Sequence, residues 1–292
     1  MKVRSGIGLA VAGVLWSVSA GAMVVNANAP APGDAFTNAG PVNQGQAIGT
    51  SGWYYNNVRN GGTVGINTAL PRSGNGSARF ASLDGADKAD IEFLPNGLNL
   101  GGNFVSAGVL GSFSQLGSMS YEWYRSDSST TDAHLHPVLR VLLDADGDLT
   151  TTGDRGGLVF ERVYIEASGW TASTNTWVSE TITDSTYLWN FGLGLGFAAN
   201  INSTDYAYDA TLAQWKAYLP NAVIIGFSSG VGSGWNDTFT GAVDNIAWNI
   251  AGQGVTYNFE VAAAAVPQPG SLALLAAAML GWIGARRRRP AV

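Results

Sequence analysis

Residues 230–248 read GVGSGWNDTFTGAVDNIAW, a Gly-rich turn that runs straight into a segment carrying Phe239, Gly241, Val243, Asp244, Asn245 and Ile246. A cluster of turn residues followed by β-branched and aromatic ones is the pattern of a strand entered from a tight turn. The same punctuation recurs outward along the chain. Strands are predicted in SARFASL (77–83), DIEFL (90–94), MSYEWYRS (119–126), VLRVLLD (138–144), LVFERVYIEA (158–167), TWVSETIT (176–183), AVIIGFSS (222–229), FTGAVDNIAWNI (239–250) and VTYNFEV (255–261). In YEWY, period-two alternation sets Tyr121 and Trp123 on one face and Glu122 and Tyr124 on the other. One helix is expected in TLAQWKAYLP, with Thr211 and Gln214 as a capping box and Pro220 as its stop. No fixed-period repeat and no internal linker interrupts this body. The expectation is an all-β fold, one β-sandwich or jelly-roll domain over residues 33–262.

Composition agrees with an exported, turn-rich domain. Charged residues are 12% of the chain, hydrophobic ones 46%, and glycine occurs 39 times. The formal charge of −6 conceals an asymmetry. Setting aside Lys2, Arg4 and Arg286 to Arg289 leaves nine basic residues against 21 acidic ones, a net of −12. Such a body has little with which to neutralise phosphates, so nucleic acid is excluded as a partner. With no cysteine there is no disulfide framework, thiolate metal site or Cys nucleophile.

Both ends read as addresses. Residues 1–22 combine a short basic start, an apolar run and small residues at Ala20 and Ala22, the pattern of a secretory signal peptide cut by signal peptidase after Ala22. At the other end no charge occurs between Glu260 and Arg286. Residues 270–285 form a candidate transmembrane helix of ~24 Å against a hydrocarbon core of ~30 Å, a gap that snorkelling arginines can close. The cluster Arg286, Arg287, Arg288 and Arg289 then belongs on the cytoplasmic side of the inner membrane. Ahead of the helix, Val266-Pro267-Gln268-Pro269-Gly270 is extended and open to a peptidase.

This order of Val266, Pro267, Pro269 and Gly270, an apolar helix and a terminal arginine cluster resembles the PEP-CTERM sorting signal of Gram-negative bacteria. The resemblance covers residues 266–289. It implies transient inner-membrane anchoring, processing by an exosortase, and release to the cell surface or the exopolysaccharide matrix. Gln268 stands where that family usually has Glu. The alternative is a plain C-terminal anchor. The opening stretch, for its part, loosely resembles the last strands of lectin-like and carbohydrate-binding jelly rolls, which implies a fold more than a function.

Candidate chemistry in the body is sparse. Asp144, Asp146 and Asp148 alternate, and Asp154 follows, so carboxylates can converge on calcium if the segment curls. It is no EF-hand, because Gly147 comes fourth and Arg155 twelfth. The competing reading is an acidic Asp-Gly turn. His134 and His136 share one side of an extended segment, with Asp132 as a possible third metal ligand; the alternative is a pair of strand residues before a proline. Trp53, Tyr54 and Tyr55 adjoin, so one at least faces outward from a strand. Trp53, Tyr55 and Trp235 are therefore candidates for stacking on a sugar ring, against the alternative of core filling. Glu92, Glu122, Glu161, Glu166 and Glu180 lie on predicted strands but form no clustered glycosidase pattern, and neither a G-x-S-x-G elbow nor an H-E-x-x-H helix occurs. A non-enzymatic role at the surface or in the exopolysaccharide matrix, structural or interactive, is the expectation. A calcium-assisted glycan-binding module is the alternative, and a polysaccharide-active enzyme the remote one.

Overall fold

Turn-punctuated alternation builds almost nothing but strand. A computed structural model describes residues 21–95, 108–166, 169–202, 208 and 210–262. In chain order the strands are β1 (Met23–Asn26), β2 (Phe36–Thr37), β3 (Gln44–Ala47), β4 (Trp53–Arg59), β5 (Thr63–Asn67), β6 (Ser77–Ser82), β7 (Lys88–Phe93), β8 (Gly111–Ser112), β9 (Leu116–Arg125), β10 (Val138–Asp144), β11 (Arg155–Phe160), β12 (Trp177–Ile182), β13 (Trp189–Gly192), β14 (Val223–Gly232), β15 (Phe239–Ile250) and β16 (Gln253–Glu260). The helix α1 (Leu212–Tyr218) carries the expected capping box, with Gln214 N–H donating to Thr211 Oγ1 and Thr211 N–H to Gln214 Oε1.

Two eight-stranded sheets pack as a sandwich. The first runs β1-β16-β15-β6-β5-β2, with β9 on the other edge of β15 and β12 beyond it; the second runs β13-β11-β10-β14-β7-β4-β3, with β8 on β14. The opening stretch supplies the spine of the first sheet. One edge of β15 pairs with β9, while the other pairs first with β6 (Phe239–Val243) and then with β16 (Ile246–Ile250). Asp244 sits where those two partners part, at a register shift. Its Oδ1 accepts Asn245 N–H at 2.8 Å and Phe259 N–H at 2.9 Å, and its Oδ2 accepts Ser73 N–H at 3.2 Å. One carboxylate thus satisfies backbone donors that the fork leaves without a ladder partner.

The inner faces make one core. Trp248 stacks on Phe227 at 4.1 Å, and Trp53 meets Phe93, Trp248, Tyr257 and Phe259 edge-on or tilted. Tyr121 and Trp123 point inward and Glu122 and Tyr124 outward, as alternation requires. Several strand ends lie a few residues from expectation, and two of the differences have a clear physical cause. The sheet starts at Met23, not residue 33, because β1 pairs in parallel with β16, Met23 to Tyr257 and Asn26 to Glu260. And β11 ends at Phe160, since Arg162–Ile165 turn into a 3-10 helix. The cause is long-range: Arg162 donates its N–H to His136 Nε2 and its Nε to Glu180 Oε1 at 3.0 Å. No helix among the described residues is long and apolar enough to cross a membrane.

Candidate functional site

The register of the second sheet lines up side chains from non-consecutive strands on its outer face. Glu92 pairs with Ser228, Ser228 with Arg140, Arg140 with Val159 and Val159 with Trp189. Directly paired residues share a face. The next positions are lowered by glycine. A Cβ at Gly230 would lie 1.9 Å from Asp90 Oδ1, and one at Gly157 would lie 2.9 Å from the Phe191 ring, so the Asp90 and Phe191 side chains occupy the space those residues leave. The result is a groove of about 350 Å³. One wall is aromatic: Phe191, then Trp189, whose ring is 4.9 Å from that of Phe197. Phe197 is 70% exposed, which core packing does not explain. Trp189 Nε1 finds no hydrogen-bond partner among the described residues. The opposite rim is polar. Arg59 donates to Asn43 Oδ1 at 2.8 Å and to Ser233 Oγ at 3.1 Å.

The floor between these walls is ionic. Asp90 accepts from Arg140 at 2.9 Å, from Lys88 at 3.0 Å and from Asn57 Nδ2 at 3.0 Å. The Asn57 amide also reaches Glu92 Oε1 at 2.9 Å, and Asn56 Nδ2 reaches Glu92 Oε2 at 2.6 Å. Adjacent strand residues should face opposite ways, so both asparagines meeting one carboxyl requires an irregularity. The register of β4 on β7 shifts after Asn56, and Asn57 takes φ 51°, a left-handed conformation that asparagine tolerates. Burial pushes the Glu92 carboxyl up to about 7, helped by the neighbouring Asp90 charge and only partly offset by the Asn56 bond and the cations. Asp90 is buried too, yet Arg140 and Lys88 hold it below the usual range. Burial pulls Lys88 down, and like-charged Arg140 and Arg59 add to that. An aromatic wall facing amides and charged donors across an open cleft suits a flat polar ligand with an apolar face. A larger hollow of about 500 Å³ on the first sheet is lined by Ser118, Ser120, Asn249 and Thr256 among others and contains no ionisable side chain.

The acidic loop joins β10 to β11. Asp144, Asp146 and Asp154 bring carboxylate oxygens within 4.8 Å of one another, a group able to hold a metal ion. Asp148 does not join them: its Oδ1 accepts the N–H and hydroxyl of Thr150. Gly147, at φ 78°, makes the turn, and a Cβ there would stand 2.8 Å from Asn221 O. Asp144 is also engaged by Arg155 Nε at 2.9 Å, a pair closed to solvent. Burial raises the Asp144 carboxyl while Arg155 pulls it back, and Asp154 is held low, against its desolvation, by bonds from Asp146 and Thr151.

Other expected site residues fall in the core. Trp53 and Tyr55 point inward, leaving Tyr54 as the outward member of the triplet. The Tyr55 hydroxyl donates to Asp34 Oδ2 at 2.6 Å and accepts Ile66 N–H at 3.0 Å, which explains a buried phenol. Trp235 is buried edge-on to Phe239 at 5.0 Å. None of the three offers a ring to a sugar. His136 is not a metal ligand: its ring stacks on Trp123 at 4.5 Å, Nδ1 donates to Pro137 O at 2.9 Å and Nε2 accepts Arg162 N–H at 3.2 Å. Burial holds it down to about 4, so it is neutral. Ala20 and the sorting-signal residues Val266, Pro267, Pro269, Gly270 and Arg286 to Arg289 lie outside the described residues, as does the helix expected over 270–285; Ala22 immediately precedes β1.

Comparison with known proteins bears on the C-terminal end. Residues 265–289 match the family described as the PEP-CTERM protein-sorting motif, so the chain carries that motif as the sequence indicated. No curated protein matches the chain. Among solved structures, it is similar to the family 11 carbohydrate-binding module of a cellulosomal cellulase of Clostridium thermocellum, with 10% identity and a TM-score of 0.34 over 70% of this chain and 85% of that one. The same module in complex with a β-1,3-1,4-mixed-linked tetrasaccharide gives 10% identity and a TM-score of 0.35 over 71% of this chain and 95% of that one. Similarity that faint says nothing of this chain's ligand.

Proposed function

We propose that the chain is an exported protein that holds polysaccharide of the surrounding matrix in the groove on its second sheet. Signal peptidase releases residues 1–22, the tail anchors transiently in the inner membrane, and an exosortase processes it at the sorting motif. The body, residues 23–262, then acts at the cell surface or in the exopolysaccharide. The observation that carries the binding role is the exposed Phe197 ring beside Trp189, facing a polar cleft. A sugar presents an apolar C–H face to such a ring and hydroxyls to the amides and cations opposite. The role is binding without turnover. The two carboxyls of the groove, Asp90 and Glu92, are both buried and committed to internal bonds.

The test is retention of the full chain on immobilised polysaccharides, first that of its own host. Phe197→Ala should weaken retention about tenfold, equivalent to ~1.4 kcal/mol, without lowering the melting temperature. Unchanged retention would remove the groove from the reading. A calcium-assisted form of this function draws on the convergence of Asp144, Asp146 and Asp154. Millimolar calcium then raises the melting temperature and Asp146→Ala abolishes the rise; an absent rise eliminates the ion.

A further inference from the structure

The groove concentrates positive charge in a body that is otherwise acidic. Arg59, Lys88 and Arg140 all line it. Two of them share the single carboxylate of Asp90. The third, Arg59, has no carboxylate within ion-pair distance among the described residues; its guanidinium is held by a neutral amide and a neutral hydroxyl, Asn43 and Ser233. Those two contacts fix the planar fork at the rim, which is the geometry that receives a carboxylate through two parallel hydrogen bonds. The remaining acid, Glu92, is tied by Asn56 and Asn57 and offers Arg59 nothing.

We infer that the groove takes an acidic polysaccharide, a chain of uronate sugars, with Arg59 receiving the sugar carboxylate while Phe197 and Trp189 receive the ring. This rests on the groove reading above and names its ligand class. A neutral glycan would meet the same aromatic wall but would leave the cation excess at the rim unanswered. An incoming carboxylate answers it, and also relieves the like-charge crowding that Arg59 and Arg140 impose on Lys88. The −12 body argues against non-specific capture of polyanions, so selectivity must come from this local site.

A matched pair of ligands separates charge from shape. Polygalacturonate and its fully methyl-esterified form share a backbone and differ in the carboxylate. Binding of the full chain to each is measured by affinity electrophoresis and calorimetry, for the wild type, Arg59→Gln, Arg59→Lys and Phe197→Ala. The expected result is at least tenfold tighter binding of the acid form than of the ester. Arg59→Gln abolishes the preference, costing the acid form at least tenfold more than the ester, which loses at most a hydroxyl contact; Arg59→Lys keeps the charge without the fork and recovers part of the preference. Phe197→Ala weakens both ligands. Equal binding of acid and ester, sensitive to Phe197→Ala, overturns the charge inference and leaves the groove standing. Failure of every Phe197-sensitive interaction overturns both. Should Arg59→Gln not fold, the acid-to-ester ratio of the wild type decides.

Discussion

Replacing Asp244 by alanine removes one side chain and strands three backbone donors. Phe259 N–H is buried at the junction of β15 and β16, while Asn245 and Ser73 N–H are partly buried. A buried donor left without a partner costs roughly 1–3 kcal/mol. Taking about 2 kcal/mol for Phe259 and about 0.5 kcal/mol for each of the others, which water can reach, gives a loss of about 3 kcal/mol. For a body of this size each kcal/mol lowers the melting temperature by about 2–4 °C, so Asp244→Ala should melt about 9 °C below the wild type. Asp244→Asn keeps one acceptor oxygen for the two donors now on Oδ1 and loses the one on Oδ2, and should fall between the two. The assay is thermal unfolding of the full chain followed by near-ultraviolet circular dichroism at pH 7. A drop smaller than about 3 °C for Asp244→Ala would mean that the fork does not depend on this carboxylate, and the account of how β15 serves both β6 and β16 would fail.

Three further outcomes are expected. Glu92 and Glu161, raised by burial from 4.5 to about 7, and Asp244, raised by burial from 3.8 to about 6, bind protons more tightly when folded, so their stabilisation is complete in acid and is lost as pH rises through those values. His136, lowered by burial from 6.5 to about 4, acts in the opposite sense, losing stabilisation as pH falls below 6.5. Between pH 6 and 8 the carboxyls prevail, so the melting temperature should decline over that interval, and a rise would contradict the assignment. Arg155→Met leaves Asp144 buried without its partner, at a cost of about 3–5 kcal/mol in urea unfolding, and adding Asp144→Asn should restore most of it; a double variant as unstable as the single one would show that the pair itself is needed. Intact mass of the protein from its native host should give a species starting at Met23 and ending near Pro269, whereas a membrane-bound form retaining Arg286 to Arg289 would mean a permanent anchor.

The strands legible in sequence are those whose pattern is local. Residues 138–144 and 239–250 form strands with the expected boundaries, and the capping box of α1 is present, because alternation, turn residues and caps act over a few positions. The groove was not legible. The groove as a whole takes residues from β4, β7, β10, β13 and β14, which only the pairing register brings together. Its aromatic wall begins on β13, four residues that end in Gly192 and are followed by Gly194 and Gly196, too short and too interrupted to read as strand. Aromatic abundance did point to ring surfaces, but at Trp53, Tyr55 and Trp235, where the side chains fill the core; the signal that separates Phe197 is its lack of any strand pattern around it. The acidic run was legible in part. Three of its four aspartates converge, and Asp148 is lost to a local turn with Thr150, a competition between side chain and backbone that residue spacing does not reveal.

The parallel pairing of residues 23–26 with residues 257–260 sets an order of events. A polypeptide that crosses a membrane with its beginning in the lead delivers β1 first and β16 last. For the whole passage the first strand waits, because its neighbour has not yet arrived. The sheet can close only when Glu260 has emerged, six positions ahead of Val266. Completion of the fold and arrival of the tail therefore coincide, and a chain broken off early lacks both the closing strand and the address.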